Sequence, residues 1–179
     1  MRLLTSAAIA AGLLLSACNP SANQPVGNAK VPEPAKPVEL KRYLGKWFEL
    51  ARYEASFQKD CDAVTADYSL RSDGDIRVIN TCHEGGPTGP ARAAEAVAKL
   101  AEGSNGSKLK VSFFGPFFGD YWVLDHAADY SWSIVGEPSG KYLWILSRSP
   151  NVGQRKYDDL VKRAANLGYD VSMLRRTQW

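Results

Sequence analysis

Apolar and polar side chains alternate in segment after segment of this chain, and that period of two constrains its fold more than any other feature. Val64, Ala66, Tyr68 and Leu70 stand against Thr65, Asp67 and Ser69. Beyond Asp73-Gly74, Ile76, Val78 and Asn80 resume the alternation. Leu109, Val111 and Phe113 stand against Lys108, Lys110 and Ser112. Each pattern describes a strand with one buried face, and Asp-Gly between two such segments signals a hairpin. Residues 47–53, 121–124, 130–135 and 142–146 are further apolar runs of strand length. Residues 91–100 hold alanines that favour helix, but their place between strands makes strand the better reading. Eight antiparallel strands with short turns close most economically into an up-and-down barrel. A barrel of that size is filled by side chains or holds one small ligand.

The period changes near the C-terminus. Tyr157, Leu160, Val161 and Ala164 recur at helical spacing, with Gly168 to end the run. Ser149 suits a cap and Pro150 a first helical position, which gives a helix of about 16 residues packed outside the barrel. Charged outward positions on the strands argue against a transmembrane barrel. A net charge of +3, from 22 basic and 19 acidic residues, is too small to suggest nucleic acid.

Met1-Arg2 precedes an apolar run from Leu3 to Leu15, short of the ~20 residues that span a bilayer. Such a run behind a positive start reads as a secretory signal. Leu15-Ser16-Ala17-Cys18 resembles the lipobox of bacterial lipoproteins. The resemblance implies a signal peptide over residues 1–17 and a membrane anchor of acyl chains on Cys18. Asn19, where Asp would mark retention in the inner membrane, implies the cell outer membrane and its periplasmic face. Residues 18–38 hold five of the ten prolines and no aromatic, so they read as a lipidated N-terminus and tether ahead of a folded domain at 39–179. Of three cysteines, Cys61 and Cys82 remain as a pair in an oxidising compartment, where a disulfide is the default. A zinc site would need more ligands than the nearby His83, and no metal or cofactor is expected.

Tyr43-Leu-Gly45-Lys-Trp47-Phe-Glu-Leu-Ala-Arg-Tyr53 resembles the opening block of the lipocalins, with its Gly-x-Trp signature. Three more stretches make the likeness specific: residues 64–74, Leu109-Lys-Val-Ser-Phe-Phe-Gly-Pro-Phe-Phe-Gly119, and Tyr142-Leu-Trp-Ile-Leu-Ser-Arg148. They are similar to bacterial lipocalins, outer-membrane lipoproteins related to apolipoprotein D. The resemblance runs from about Glu39 to the C-terminus. It implies that Gly45, Trp47 and Arg148 close one end of the barrel, with the guanidinium across the indole. It also shows one departure: Asp125 stands five residues before Tyr130, not the usual three or four.

Alternate counting of turns puts the open end at residues 54–62, 83–90, 115–120 and 137–141, with Cys61 and Cys82 at its rim. Parity from Trp47 and Arg148 turns Glu49, Ala51, Tyr53 and Trp144 inward, beside Ala66, Tyr68, Asn80, Phe113 and Tyr121, with Phe57 in the adjoining loop. This largely apolar lining suits a fatty acid or lysophospholipid, and the phenylalanines of 113–118 suit a gate or a membrane contact. A packed barrel serving as a structural or interaction lipoprotein is the alternative. Enzyme readings lack support: there is no Gly-x-Ser-x-Gly, His-Glu-x-x-His or phosphate loop, and His83 and His126 fall at opposite ends. Outward Trp122 and Trp132 leave room for a homodimer.

Overall fold

The computed structural model describes residues 24–179; the leader, the lipobox and Cys18 lie outside the described residues. A single turn α1 (Leu40–Tyr43) leads into β1 (Gly45–Tyr53). There follow β2 (Ala63–Leu70), β3 (Ile76–His83), β4 (Ala91–Leu100), β5 (Lys108–Phe114), β6 (Phe117–His126), β7 (Trp132–Gly136) and β8 (Leu143–Ser147). Each pairs antiparallel with the next, and β1 pairs with both β2 and β8, so the eight-stranded barrel closes. The alanine-rich 91–100 segment is strand: Ala94, Ala96 and Ala98 oppose Asn80, Val78 and Ile76 on β3. Ala96 and Ala98 are buried, where such small side chains take little space, and sheet pairing overrides the helix propensity of the segment.

Two apolar cores lie on the two faces of the wall. Inside the barrel, Trp47, Tyr68, Val78, Leu109, Val123 and Leu146 pack together. Outside it, Leu50, Ile134, Leu143 and Ile145 are covered by Leu160 and Ala164 of α2 (Gln154–Asn166). Fully burying a side chain such as Leu160 contributes about 1.5–3 kcal/mol, which is what fixes the helix to the wall. The helix starts later than the Ser149-Pro150 signal suggests. Residues 151–153 stay non-helical, and Gly153, at φ +71°, turns the chain into α2 with a conformation other residues resist. After α2 a three-residue strand β9 (Leu174–Arg176) pairs with β1; a strand this short leaves no periodic signal.

A bulge in β1 corrects the parity reading of the first strand. Glu49 pairs with Leu146, but Ala51 pairs with Ile145, so Leu50 is an extra residue. One inserted residue moves every following side chain to the other face. Ala51 and Tyr53 therefore belong to the outer core under α2, and Arg52 turns inward beside Glu49. The carbonyls that the bulge frees are taken by the C-terminus. Leu50 O accepts from Thr177 N at 3.0 Å, and Glu49 O accepts from Trp179 Nε1 at 2.7 Å. A second bulge on β5, between Val111 and Phe114, takes Phe113 out of alternation. That side chain is 40 % exposed and borders a groove with Lys99, Ser112 and Phe118, so it is corrected from the lining.

Residues 24–38, read above as tether, lie along the outside of the barrel as a strap. Gly27 N and Asn28 N both donate to Gly140 O, at 2.9 and 3.2 Å, and Asp170 N donates to Gly27 O at 2.8 Å. Farther along, Lys36 pairs with Asp125 at 2.5 Å and Val38 N donates to Asn105 O at 2.9 Å. Prolines suit such a strap, since an extended segment against a wall needs few of its own amide donors. The outward tryptophans are likewise used within the chain. Trp132 is buried under α2, and Trp122 is half-buried beneath Lys108.

Candidate functional site

The up-and-down order puts the 71–75, 101–107 and 127–131 turns at one end, together with α1 and Arg148. This end is sealed. The Arg148 guanidinium lies 3.7 Å over the Trp47 ring, and it donates to Lys46 O at 2.7 Å, Arg42 O at 2.8 Å, Tyr43 O at 3.1 Å and Leu44 O at 2.8 Å. Burial pulls its pKa below the ordinary arginine value. Trp47 Nε1 donates to Tyr43 O at 2.8 Å, so α1 is stitched across the barrel floor. Gly45 opens β1 beside the same guanidinium. Asp125, displaced from its usual spacing to Tyr130, holds Lys36 of the strap and Arg163 of α2.

Above that floor sits a cluster of hydroxyls. Tyr68 OH donates to Tyr121 OH at 2.9 Å, and Tyr43 OH shares hydrogen bonds with Tyr121 OH at 2.9 Å and Ser133 Oγ at 3.2 Å. Burial pushes the Tyr43 phenol up to about 12 and raises Tyr68 and Tyr121 as well, so all three stay protonated. The cluster is thus a neutral polar floor inside an apolar barrel. Tyr43 and Ser133 escaped the sequence reading because Tyr43 precedes the first strand and Ser133 is one of two serines in the largely apolar 130–135 run.

At the open end, a polar set holds the 54–62 loop over part of the mouth. Arg52 and Glu49, 0 % and 3 % exposed, form an ion pair at 2.8 Å. Arg52 Nη2 also donates to Cys61 O at 2.8 Å and Gln58 O at 3.2 Å, while its Nε has no partner. Gln58 Nε2 donates to Glu49 Oε2 at 2.8 Å, and Trp144 Nε1 donates to Gln58 Oε1 at 2.8 Å. Burial raises the Glu49 carboxyl pKa, with Arg52 pulling the other way. The pair is therefore a fastening for the loop. Arg52 has a signal in hindsight: an arginine within a buried apolar run must find partners. The Cys61–Cys82 disulfide ties the same loop to β3.

The inner face between floor and loop remains accessible. Ala66, Asn80, Val111, Tyr121 and Trp144 are only half-buried; Ala66, Val111, Tyr121 and Trp144 pack against the inner core, and Asn80 pairs with Ala66 across the strands. Phe57 leads in from the rim, 5.5 Å from Tyr142, which stacks on Trp144 at 5.8 Å. Of the sequence candidates, Ala66, Tyr68, Asn80, Tyr121 and Trp144 are brought together inside, and Phe57 stands at the mouth. Ala51, Tyr53 and Phe113 are not part of it.

The lipocalin-like domain family matches residues 38–179. The chain belongs to the lipocalins. It is 41% identical over 148 residues to the outer membrane lipoprotein Blc of Vibrio cholerae, covering 80% of this chain and 86% of that relative. It is 39% identical over 173 residues to the protein of the same name in Escherichia coli K12, covering 96% and 94%. Rat apolipoprotein D is 34% identical over 134 residues, covering 70% and 68%. Among solved structures, insecticyanin from the tobacco hornworm shares the fold at a TM-score of 0.66 and 22% identity, covering 86% of this chain and 87% of that one. These relatives make the chain a bacterial lipocalin, a binding protein and not an enzyme, and their names agree with an outer-membrane lipoprotein.

Proposed function

We propose that this lipocalin binds one single-chain acyl lipid, a fatty acid or a lysophospholipid, and stores or carries it while anchored through Cys18 at the periplasmic face of the outer membrane. The observation that carries the reading is the accessible inner face: apolar Ala66, Val111 and Trp144 remain half-buried inside an otherwise closed barrel. Exposed apolar surface within a concavity favours an acyl chain, at about 25 cal/mol per Å² covered. The tail would lie against these residues and Asn80 above the tyrosine floor, with the head toward the mouth. The relatives named outer membrane lipoprotein support the anchor and its location.

Titration of the chain from Gln24 onward with oleate and with lysophosphatidylcholine, followed by tryptophan fluorescence, tests the reading. Saturation at one equivalent is expected, with binding weakened about tenfold or more by Ala66→Trp, which fills the space proposed for the tail. An Ala66→Trp variant that melts like the parent but binds equally well places the ligand elsewhere.

A further inference from the structure

The strap gives the barrel a direction. Its two attachments near Gln24 are both at the open end: Gln24 Nε2 donates to Glu54 O in the β1–β2 loop, and Gly27 and Asn28 hold Gly140 in the β7–β8 loop. Its other end is at the sealed end, where Val38 N meets Asn105 O at 2.9 Å. A free tether from Cys18 to Val38 would extend to about 70 Å and let either end of the barrel approach a membrane. With residues 24–38 fixed to the wall, only the five residues between Cys18 and Gln24 remain free, a reach of at most about 20 Å.

The rim that this short leash holds carries the most exposed aromatic side chains. Phe114 and Phe117 flank the Gly115-Pro116 tip of the β5–β6 hairpin and are 83 % and 80 % exposed. Phe57 in the β1–β2 loop is 60 % exposed. No charged side chain lies between Ser112 and Gly119. In the circular order of the strands the β5–β6 hairpin faces the β1–β2 loop, where Gln24 is attached, across the mouth. Bare phenylalanines at a loop tip are disfavoured in water and suited to the boundary between head groups and acyl chains.

We infer that the open rim is a membrane-docking surface: the strap and the Cys18 anchor hold one side of the mouth at the lipid surface, and Phe114 and Phe117 insert into the leaflet on the other. The occupant is a phospholipid bilayer, and the inference rests on the anchor reading above. The mouth then opens onto the leaflet, so a lipid enters without crossing water, and the sealed end with its 71–75 turn points away.

The test uses the mature, lipidated full chain bound to vesicles of phosphatidylethanolamine and phosphatidylglycerol that carry a nitroxide-labelled lipid. Cys61 and Cys82 are joined to each other, so Phe117→Cys at the hairpin tip or Ser72→Cys in the opposite turn supplies one labelling thiol for an environment-sensitive fluorophore. Both positions are exposed, and neither substitution removes a buried contact. Vesicle flotation of the same samples reports the anchor. Floating chains with quenching at position 117 roughly threefold or more above that at position 72 are the expected result. Floating chains with equal quenching, or more at position 72, overturn the docking. Chains that do not float overturn the anchor reading and the docking with it. A Gly-Ser segment of about twenty residues inserted before Gln24 lengthens the leash and is expected to bring the two signals together; an unchanged ratio overturns the part assigned to the strap.

Discussion

Removing Arg52 tests the loop fastening most sharply, because it strands a buried carboxylate. In the Arg52→Met variant, Glu49, 3 % exposed, keeps Gln58 as a side-chain partner but loses its counter-ion at 2.8 Å, and Cys61 O loses a donor. Breaking one half of a buried pair costs about 3–5 kcal/mol, equivalent to a fall in Tm of about 6–20 °C for a domain of this size. The pH dependence has a definite sign. Burial holds the Glu49 pKa above its ordinary value in the folded chain, so the native state binds a proton that the unfolded chain releases near pH 4.3. The stability tied to this group is therefore full below about pH 4.3 and is lost as pH rises through the folded value. Without Arg52 the folded value climbs further, so the variant's deficit is greatest at neutral pH and shrinks on acidification. Urea unfolding at pH 7.5 and pH 5, followed by tryptophan fluorescence with the disulfide intact, measures both. Adding Glu49→Gln to Arg52→Met is expected to restore at least about half of the loss, since it removes the stranded charge. A deficit below about 1 kcal/mol at pH 7.5, or one that grows on acidification, would refute the reasoning.

Three other perturbations follow from the geometry. Arg148→Ala gives up the indole contact and the donors to four carbonyls, and is expected to lower stability by roughly 2–5 kcal/mol in urea unfolding; Arg148→Lys should restore less than half, because an ammonium cannot reproduce the fork. Paired Cys61→Ala and Cys82→Ala changes open a loop spanning a separation of 21 residues, and a loss of about 3 kcal/mol in the same assay is expected. Gly140→Ala places a Cβ 1.7 Å from Asn28 O at a backbone φ of +67°, so the upper strap should detach and limited proteolysis should cut near residues 24–30 in the variant but not in the parent.

The fold was legible where side chains alternate over long, paired segments. β2 and β3 stand out because a half-buried antiparallel pair must show a period of two on both strands, and the Asp73-Gly74 turn marks their junction. β9 did not stand out, since three residues carry no period. The site was legible down to the bulges. Parity propagates from Trp47 without error only as far as Glu49, and the extra Leu50 sends Ala51 and Tyr53 outward and Arg52 inward. Nothing in the period of this mixed run marks Leu50 as the inserted residue; the C-terminal Thr177 and Trp179 that satisfy the bulge lie more than a hundred residues away. The strap was hidden for a related reason. Its prolines describe an extended chain, and whether that chain lies on a wall depends on partners such as Gly140 and Asp125, far off in sequence.

Binding of an acyl lipid inside the barrel is the central claim, and native mass spectrometry with lipid extraction, on the chain from Gln24 onward purified from cells, tests it most directly. The account predicts one fatty acid or lysophospholipid per barrel, displaced by added lysophospholipid and absent from the Ala66→Trp variant. A ligand-free mass that stays unchanged on addition of oleate or lysophospholipid would contradict it and leave a packed, structural barrel.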